Sequence, residues 1–130
     1  MSERNVLIVM QKGDDDKLEG GMDGIIQRVR TVCEKASCGI VKKGDELSIE
    51  TFLYKDTDDH YNGVVSFSSF LKDFRDPICK SDLVYLFEDE SFLPYFITEV
   101  ALGYGMPIIR DFGDRVQVEL SSQTIAEQEV

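Results

Sequence analysis

Glu99 is the residue in this sequence whose type and setting best suit a chemical role. It is the only charged residue between Ser91 and Ile109, in a segment whose apolar spacing predicts a helix. A carboxylate at an apolar margin can act as a nucleophile, an acid or a base, because that setting shifts its pKa. Tyr95 lies one helical turn earlier and could hydrogen-bond to it or simply pack. The other interpretation is a solvated glutamate at a helix edge.

The segment around Glu99 predicts a strand, an acidic loop, a helix and a second strand. The run DLVYLF is continuous and rich in β-formers, which is typical of a strand covered on both faces. The acidic loop Glu88–Ser91 follows it. The predicted core face of the helix consists of Leu93, Phe96, Ile97, Val100, Ala101 and Tyr104. Gly103 and Gly105 end this helix, and Pro107 prevents its continuation.

The rest of the chain continues the alternation of strands and helices. The other predicted elements are a buried strand at Asn5–Met10, a helix capped by Asp23, a hairpin or single long strand within Ile40–Tyr54, a short helix capped by Ser66, an edge strand at Arg115–Leu120 and a frayed polar tail. No linker or internal repeat divides the chain. The sequence therefore predicts a single α/β domain over residues 1–130.

The predicted architecture is a flavodoxin-like three-layer sandwich with a mainly parallel sheet in the order 2-1-3-4-5. Its central strands, Asn5–Met10 and Asp82–Phe87, are expected to lie parallel. The loops Gln11–Asp16 and Glu88–Ser91 would then flank the point where the strand order reverses, and a ligand would sit between them. Gln11, Gly13 and Ser91 are thus candidate substrate-binding residues.

The net charge of −11 and the pI of about 4.4 argue against unaided binding to nucleic acid or to an anionic membrane. The excess acid serves solubility or, in a sharper hypothesis, lets the chain mimic DNA and bind a basic protein partner. The single histidine, His60, gives little support to a histidine triad or a multi-histidine metal site. The odd number of cysteines without a CxxC pair favours reduced thiols and a cytoplasmic location.

The unit from Lys80 to Ile109 resembles the signature half of the nucleoside 2-deoxyribosyltransferase-like superfamily, which includes nucleotide N-glycosidases. The matching features are Ser81-Asp82 before the strand LVYLF, the acidic loop, Glu99 on the helix, and the closing run from Gly105 to Ile109. The resemblance implies a nucleoside or nucleotide substrate, with Glu99 as nucleophile on the anomeric carbon. It also implies that loop acids such as Asp89 and Glu90 contact the sugar or assist proton transfer, and it adds Asp82 to the substrate-binding residues. No metal or organic cofactor is required.

Two departures from the family pattern keep a second interpretation open. The glutamate is nearer to Pro107 than in most members, and Phe92-Leu93-Pro94 replaces a Gly-Thr at the helix start. A non-catalytic acidic binding module, such as a phage-encoded inhibitor or a nucleotide-sequestering protein, is therefore the alternative. A homodimer is also expected if Phe92, Tyr95, Leu102 and Tyr104 form an exposed apolar face, unless another part of the same chain covers them.

Overall fold

The computed structural model describes residues 3–11, 20–37, 39–54, 75–88, 92–120 and 123–129. In chain order the elements are β1 (Glu3–Gln11), α1 (Gly21–Ala36), β2 (Glu46–Tyr54), β3 (Leu83–Phe87), α2 (Phe92–Gly103), β4 (Ile108–Asp111), β5 (Arg115–Leu120) and β6 (Gln123–Glu129). A short helical segment over residues 75–79 precedes β3. The predicted Ser66 helix and the loop with His60 lie outside the described residues.

The strands form one α/β sheet in the order β2-β1-β3-β4-β5-β6. β1 pairs in parallel with both β2 and β3, so Val6 lies opposite Ile49 on one side and Leu83 on the other. The predicted parallel pairing of the two central strands is therefore confirmed. The prediction of a mainly parallel sheet is wrong, because the sheet is mixed. β3 and β4 are parallel, but β4 pairs antiparallel with β5, and β5 pairs antiparallel with β6. Residues 112–114 are too short a connection for a parallel crossover, so the chain must reverse there.

The predicted edge strand at Arg115–Leu120 needs a second correction. β5 lies inside the sheet, and β6 pairs with it along its whole length, with an irregularity between Val118 and Glu119. The tail predicted to fray is thus the outer strand of the sheet. Backbone hydrogen bonds alone can hold a polar segment there, and charged residues are common on edge strands because they discourage further pairing.

Two hydrophobic clusters cover opposite faces of the central strands, because successive side chains of a strand alternate between faces. Val6, Ile8 and Met10 of β1 pack with α1 through residues such as Ile25 and Val29. The intervening β1 residues, Leu7 and Val9, pack with α2 and with Ile78 of the short helical segment. α1, which follows β1, and α2, which follows β3, therefore lie on opposite sides of the sheet.

The buried face of α2 is rotated by about one residue from the predicted one. Among the described side chains of α2, the buried ones are Pro94, Ile97, Thr98, Ala101 and Leu102, whereas Tyr104 just beyond the helix is 49% exposed. The helix is apolar almost all round, so its pattern fixes the rotation poorly. Leu102, predicted to be exposed beside Glu99, instead packs in the core at 7% exposure. Thr98 is tolerated inside because its hydroxyl donates to the Pro94 carbonyl at 2.9 Å.

The end of α2 and the start of α1 show which local sequence signals were correct. Gly105 closes α2 as predicted: its N–H donates to the Leu102 carbonyl, and its φ of 75° turns the chain so that the Met106 N–H donates to the Ala101 carbonyl. α1 begins earlier than predicted, with Gly20 as its N-cap, so Asp23 lies in the first turn rather than at the cap. The Ile40–Tyr54 segment contains one long strand preceded by a turn. In the described ranges, neither helix has the length and apolar character needed to cross a membrane.

Candidate functional site

The strand order reverses between β1 and β3, and this defines the candidate site. From β1 the chain passes through α1 to β2 on one side, and from β3 it passes through α2 to β4 on the other. Because α1 and α2 lie on opposite faces, a crevice is expected outside the carboxyl ends of β1 and β3, where open α/β sheets bind ligands. This end of the sheet, where β1, β3 and β4 finish at Gln11, Phe87 and Asp111, is called the carboxyl edge below.

The structure describes only part of the predicted site. Gln11 is the last residue of β1 and pairs through its backbone with Tyr54. Asp82 lies at the opposite, amino end of β3, where its Oδ2 accepts a hydrogen bond of 2.8 Å from the Asn5 N–H, so it is not brought to the carboxyl edge. A residue that precedes a strand must lie at that strand's amino end. The remaining loop candidates lie outside the described residues: Gly13, Asp89, Glu90 and Ser91.

Glu99 and Tyr95 lie on the solvent-facing side of α2. Both side chains are exposed, Tyr95 to 55%, and the four-residue spacing places them one turn apart on the same side. Glu99 is thus an accessible carboxylate rather than one enclosed by the apolar core. It lies seven residues after Phe92, about 10 Å along the helix axis from the start of α2.

A buried ionic network lies at the carboxyl end of β4. The Asp111 carboxylate accepts hydrogen bonds from Arg28 Nε at 2.7 Å and Nη2 at 2.9 Å, which is a bidentate pair. Tyr85 Oη donates to Oδ2 at 2.6 Å, and the Gly113 N–H donates to Oδ1 at 2.8 Å. Gly113 has a φ of 95°, and its carbonyl accepts a further bond from Arg28 at 2.9 Å. The network therefore fastens α1 to the β4–β5 turn.

The hydrogen bonds of this network decide its charge state. Burial alone would raise the pKa of Asp111, but the bonds from Arg28, Tyr85 and Gly113 outweigh it and hold the pKa below its ordinary value. Burial, reinforced by the Asp111 charge, raises the pKa of Tyr85. The hydrogen bond to Asp111 raises the pKa of Arg28. Asp111 is consequently an anion and Tyr85 a neutral donor at physiological pH.

A second ionic cluster lies on the α2 side of the same edge. Arg110 donates to Glu88 Oε2 through Nε at 3.0 Å and Nη2 at 2.8 Å, and to Glu119 Oε1 through Nη1 at 3.1 Å. Burial would lower the pKa of Arg110, but its two carboxylate partners raise it. The Glu88 side chain is only 1% exposed. Glu88, predicted to belong to the acidic loop at the ligand-binding edge, is therefore paired with Arg110 of β4. The Phe112 ring beside this cluster lies 5.0 Å from the Arg110 guanidinium.

The comparisons with known proteins add no relative. No family model, curated protein or solved structure matches this chain. The chemistry of the site must therefore be argued from its own residues.

The geometry separates positioning groups from groups that could react. Asp111 and Glu88 are held by arginines and are poorly placed to attack a substrate. Among the described residues near α2, Glu99 is an accessible carboxylate with the opposite character. Sequence reasoning missed the two arginine clusters because their members are far apart in the chain, by 83 positions for Arg28 and Asp111. A signal was present in Tyr85, because a tyrosine in a buried strand needs a partner for its hydroxyl.

Proposed function

We propose that this protein binds a nucleoside or nucleotide in the crevice at the carboxyl ends of β1 and β3 and cleaves or exchanges its N-glycosidic bond through Glu99. The observation that carries the proposal is the reversal of strand order between β1 and β3, combined with a helix that starts at that edge and bears an exposed carboxylate. Exposed Tyr95 lies between the edge and Glu99 on the same side of α2, and its ring offers a surface on which a base can stack.

In the proposed reaction, the Glu99 carboxylate attacks the anomeric carbon and the bond from that carbon to the base nitrogen breaks. The electron pair leaves with the base, which receives a proton from Asp89 or Glu90. Water then attacks the glycosyl ester, releasing the sugar and restoring Glu99, or a second base takes the sugar in an exchange. Gln11, Gly13 and Ser91 keep the substrate-binding roles proposed from their place at the strand ends, whereas Asp82, at the amino end of β3, does not reach this crevice. The reaction needs no cofactor or metal.

We place this chemistry in a flavodoxin-like three-layer sandwich within a single domain. The support is the packing of α1 and α2 on opposite faces and the 2-1-3-4 order of the first four strands. A cytoplasmic location fits the free thiols of Cys33 and Cys79.

The test is release of free base from a panel of nucleosides, nucleotides and NAD, measured by chromatography. Glu99→Gln removes the nucleophile while preserving shape, so turnover should fall about a hundredfold or more. Glu34→Gln, on the exposed side of α1, is the matched control and should keep full activity. A Glu99→Gln variant with undiminished turnover, or a wild-type chain that releases no base from any member of the panel, would contradict the proposal.

The second candidate is a non-catalytic acidic module that binds a basic protein. It is favoured by the solvent exposure of many described acidic side chains, including Glu3, Asp23, Glu46 and Asp76, in a chain of net charge −11. Complex formation with a basic partner should then survive Glu99→Gln and weaken steeply as salt screens the charges. Binding that is insensitive to salt would argue against this module.

We also propose a homodimer through the exposed Tyr95 and Tyr104. Leu102 is buried and takes no part, and the side chain of Phe92 lies outside the described part of the chain. Sedimentation at micromolar concentration is the test. A single species at 14.7 kDa would eliminate the dimer.

A further inference from the structure

A cavity of about 280 Å³ opens at the amino end of the parallel strands, away from the carboxyl edge. It is lined by Asn5, Val6, Ser48, Glu50, Lys80 and Ser81. β1 forms its floor, since the Asn5 backbone pairs with Ser48 of β2 on one side and bonds to Asp82 on the other. The cavity is thus a site separate from the one proposed for nucleosides.

The two walls of the cavity carry opposite charges. Glu50 and Ser48 belong to β2, whereas Lys80 and Ser81 belong to the turn that leads into β3. Neighbouring strands are about 4.8 Å apart, so walls on either side of β1 are separated by roughly 10 Å. Within the part of the chain that the structure describes, neither Glu50 nor Lys80 forms an ion pair, so both charges remain available to a ligand.

This charge pattern selects a class of ligand. An anion without a positive group would meet Glu50, and a cation without a negative group would meet Lys80. A molecule carrying both charges satisfies each wall, and the Ser48 hydroxyl and Asn5 carboxamide can bond to a polar remainder. Liquid water occupies about 30 Å³ per molecule, so the cavity holds a ligand of roughly nine non-hydrogen atoms.

We infer that this amino-end cavity binds a small zwitterion, namely a free amino acid of about the size of asparagine. Its ammonium group lies toward Glu50 and its carboxylate toward Lys80. The inference goes beyond the proposed nucleoside chemistry, because neither residue belongs to the carboxyl edge or to α2.

The binding experiment uses the full chain and a panel of free L-amino acids that includes L-asparagine. Amide shifts in ¹H–¹⁵N spectra should saturate for Asn5, Ser48 and Ser81. Two analogues of L-asparagine separate the charges: succinamic acid lacks the ammonium group, and aspartic acid diamide lacks the carboxylate. Each should bind about tenfold or more weakly, as expected for the loss of one charged hydrogen bond. An absence of saturating shifts up to about 10 mM of every amino acid would overturn the inference, as would equal binding of the analogues.

Charge-neutralising variants test which charged group of the ligand lies toward each wall of the cavity. Lys80→Gln should weaken L-asparagine about tenfold while leaving the diamide unchanged, because the diamide has no carboxylate to lose. Glu50→Gln should do the same for L-asparagine while leaving succinamic acid unchanged. Lys43→Gln, at an exposed position outside the cavity, is the control and should bind like the wild type. If Lys80→Gln weakened both ligands equally, the assigned orientation would be wrong.

Discussion

Tyr85→Phe is the most direct test of the buried network at the end of β4. Tyr85 is fully buried, and its hydroxyl donates a 2.6 Å hydrogen bond to the Asp111 carboxylate. The substitution removes this one donor and preserves the ring, so packing with the surrounding cluster is retained. Arg28 and Gly113 continue to bond to Asp111, and the carboxylate keeps its charge.

The expected loss of stability follows from the kind of bond removed. A hydrogen bond to a charged group contributes about 1.5–3 kcal/mol, so the free energy of unfolding should fall by about 2 kcal/mol. A chain of 130 residues has an unfolding entropy of about 0.27 kcal/mol/K, and Tm should therefore fall by about 7 °C. Urea unfolding, followed by circular dichroism, measures the free-energy change directly, and differential calorimetry gives Tm.

The difference in unfolding free energy between the wild type and Tyr85→Phe should also depend on pH. The pKa of Asp111 is lower in the folded chain than its ordinary value near 3.9. Its stabilising contribution is thus present above that pH and is lost as pH falls through the folded pKa. Because Tyr85 helps to lower that pKa, its removal raises it, and the wild type loses more stability in acid. The difference of about 2 kcal/mol at pH 7 should narrow as pH falls through the depressed folded pKa of Asp111.

Tyr104→Phe is the matched control, because its hydroxyl is on a ring that is 49% exposed. Its unfolding free energy should stay within about 0.5 kcal/mol of the wild type. The argument about the network is refuted if Tyr85→Phe also stays within that margin, or if its effect on the unfolding free energy grows as the solution is acidified.

Three further outcomes are expected from the described contacts. Arg110→Lys should lower the unfolding free energy by about 1–3 kcal/mol in urea titrations, because an ammonium cannot reproduce the fork that reaches two carboxylates; Arg75→Lys, at an exposed position, should have little effect. Ile97→Ala should lower the unfolding free energy by about 2–5 kcal/mol, because this α2 side chain is fully buried against the sheet, and a smaller loss would indicate that the helix is not packed there. Peptide mapping after alkylation at pH 8 should show Cys79 modified and Cys33 protected, since burial raises the pKa of Cys33 to about 12; equal labelling of the folded chain would contradict this.

The parts of the fold that were predicted correctly are those in which a local pattern has one structural solution. The continuous apolar runs at β1 and β3 predict strands buried on both faces, and the strands are found there in parallel. The end of α2 was also predictable, because Gly105 occupies the left-handed position that closes the helix.

Other features depended on partners that the local sequence does not identify. β6 was missed because an outer strand is held by backbone bonds and needs no apolar alternation. The burial of Leu102 was missed because an almost wholly apolar helix can turn several faces to the sheet. Asp111 was missed because its partner Arg28 is distant in the chain, and an aspartate at a strand end is otherwise an ordinary turn residue.

The central position of β1 has a consequence for the order in which a ribosome makes this chain. β1 is synthesised before β3, but Val6 needs Leu83 beside it before the sheet is continuous. Five consecutive β1 side chains, from Val6 to Met10, are buried in the finished molecule. A nascent chain that has not yet extruded β3 must therefore keep this apolar run in contact with solvent, the ribosome surface or a chaperone. Truncations that end before β3 should accumulate as insoluble material, whereas those that lose only β6 retain both neighbours of β1.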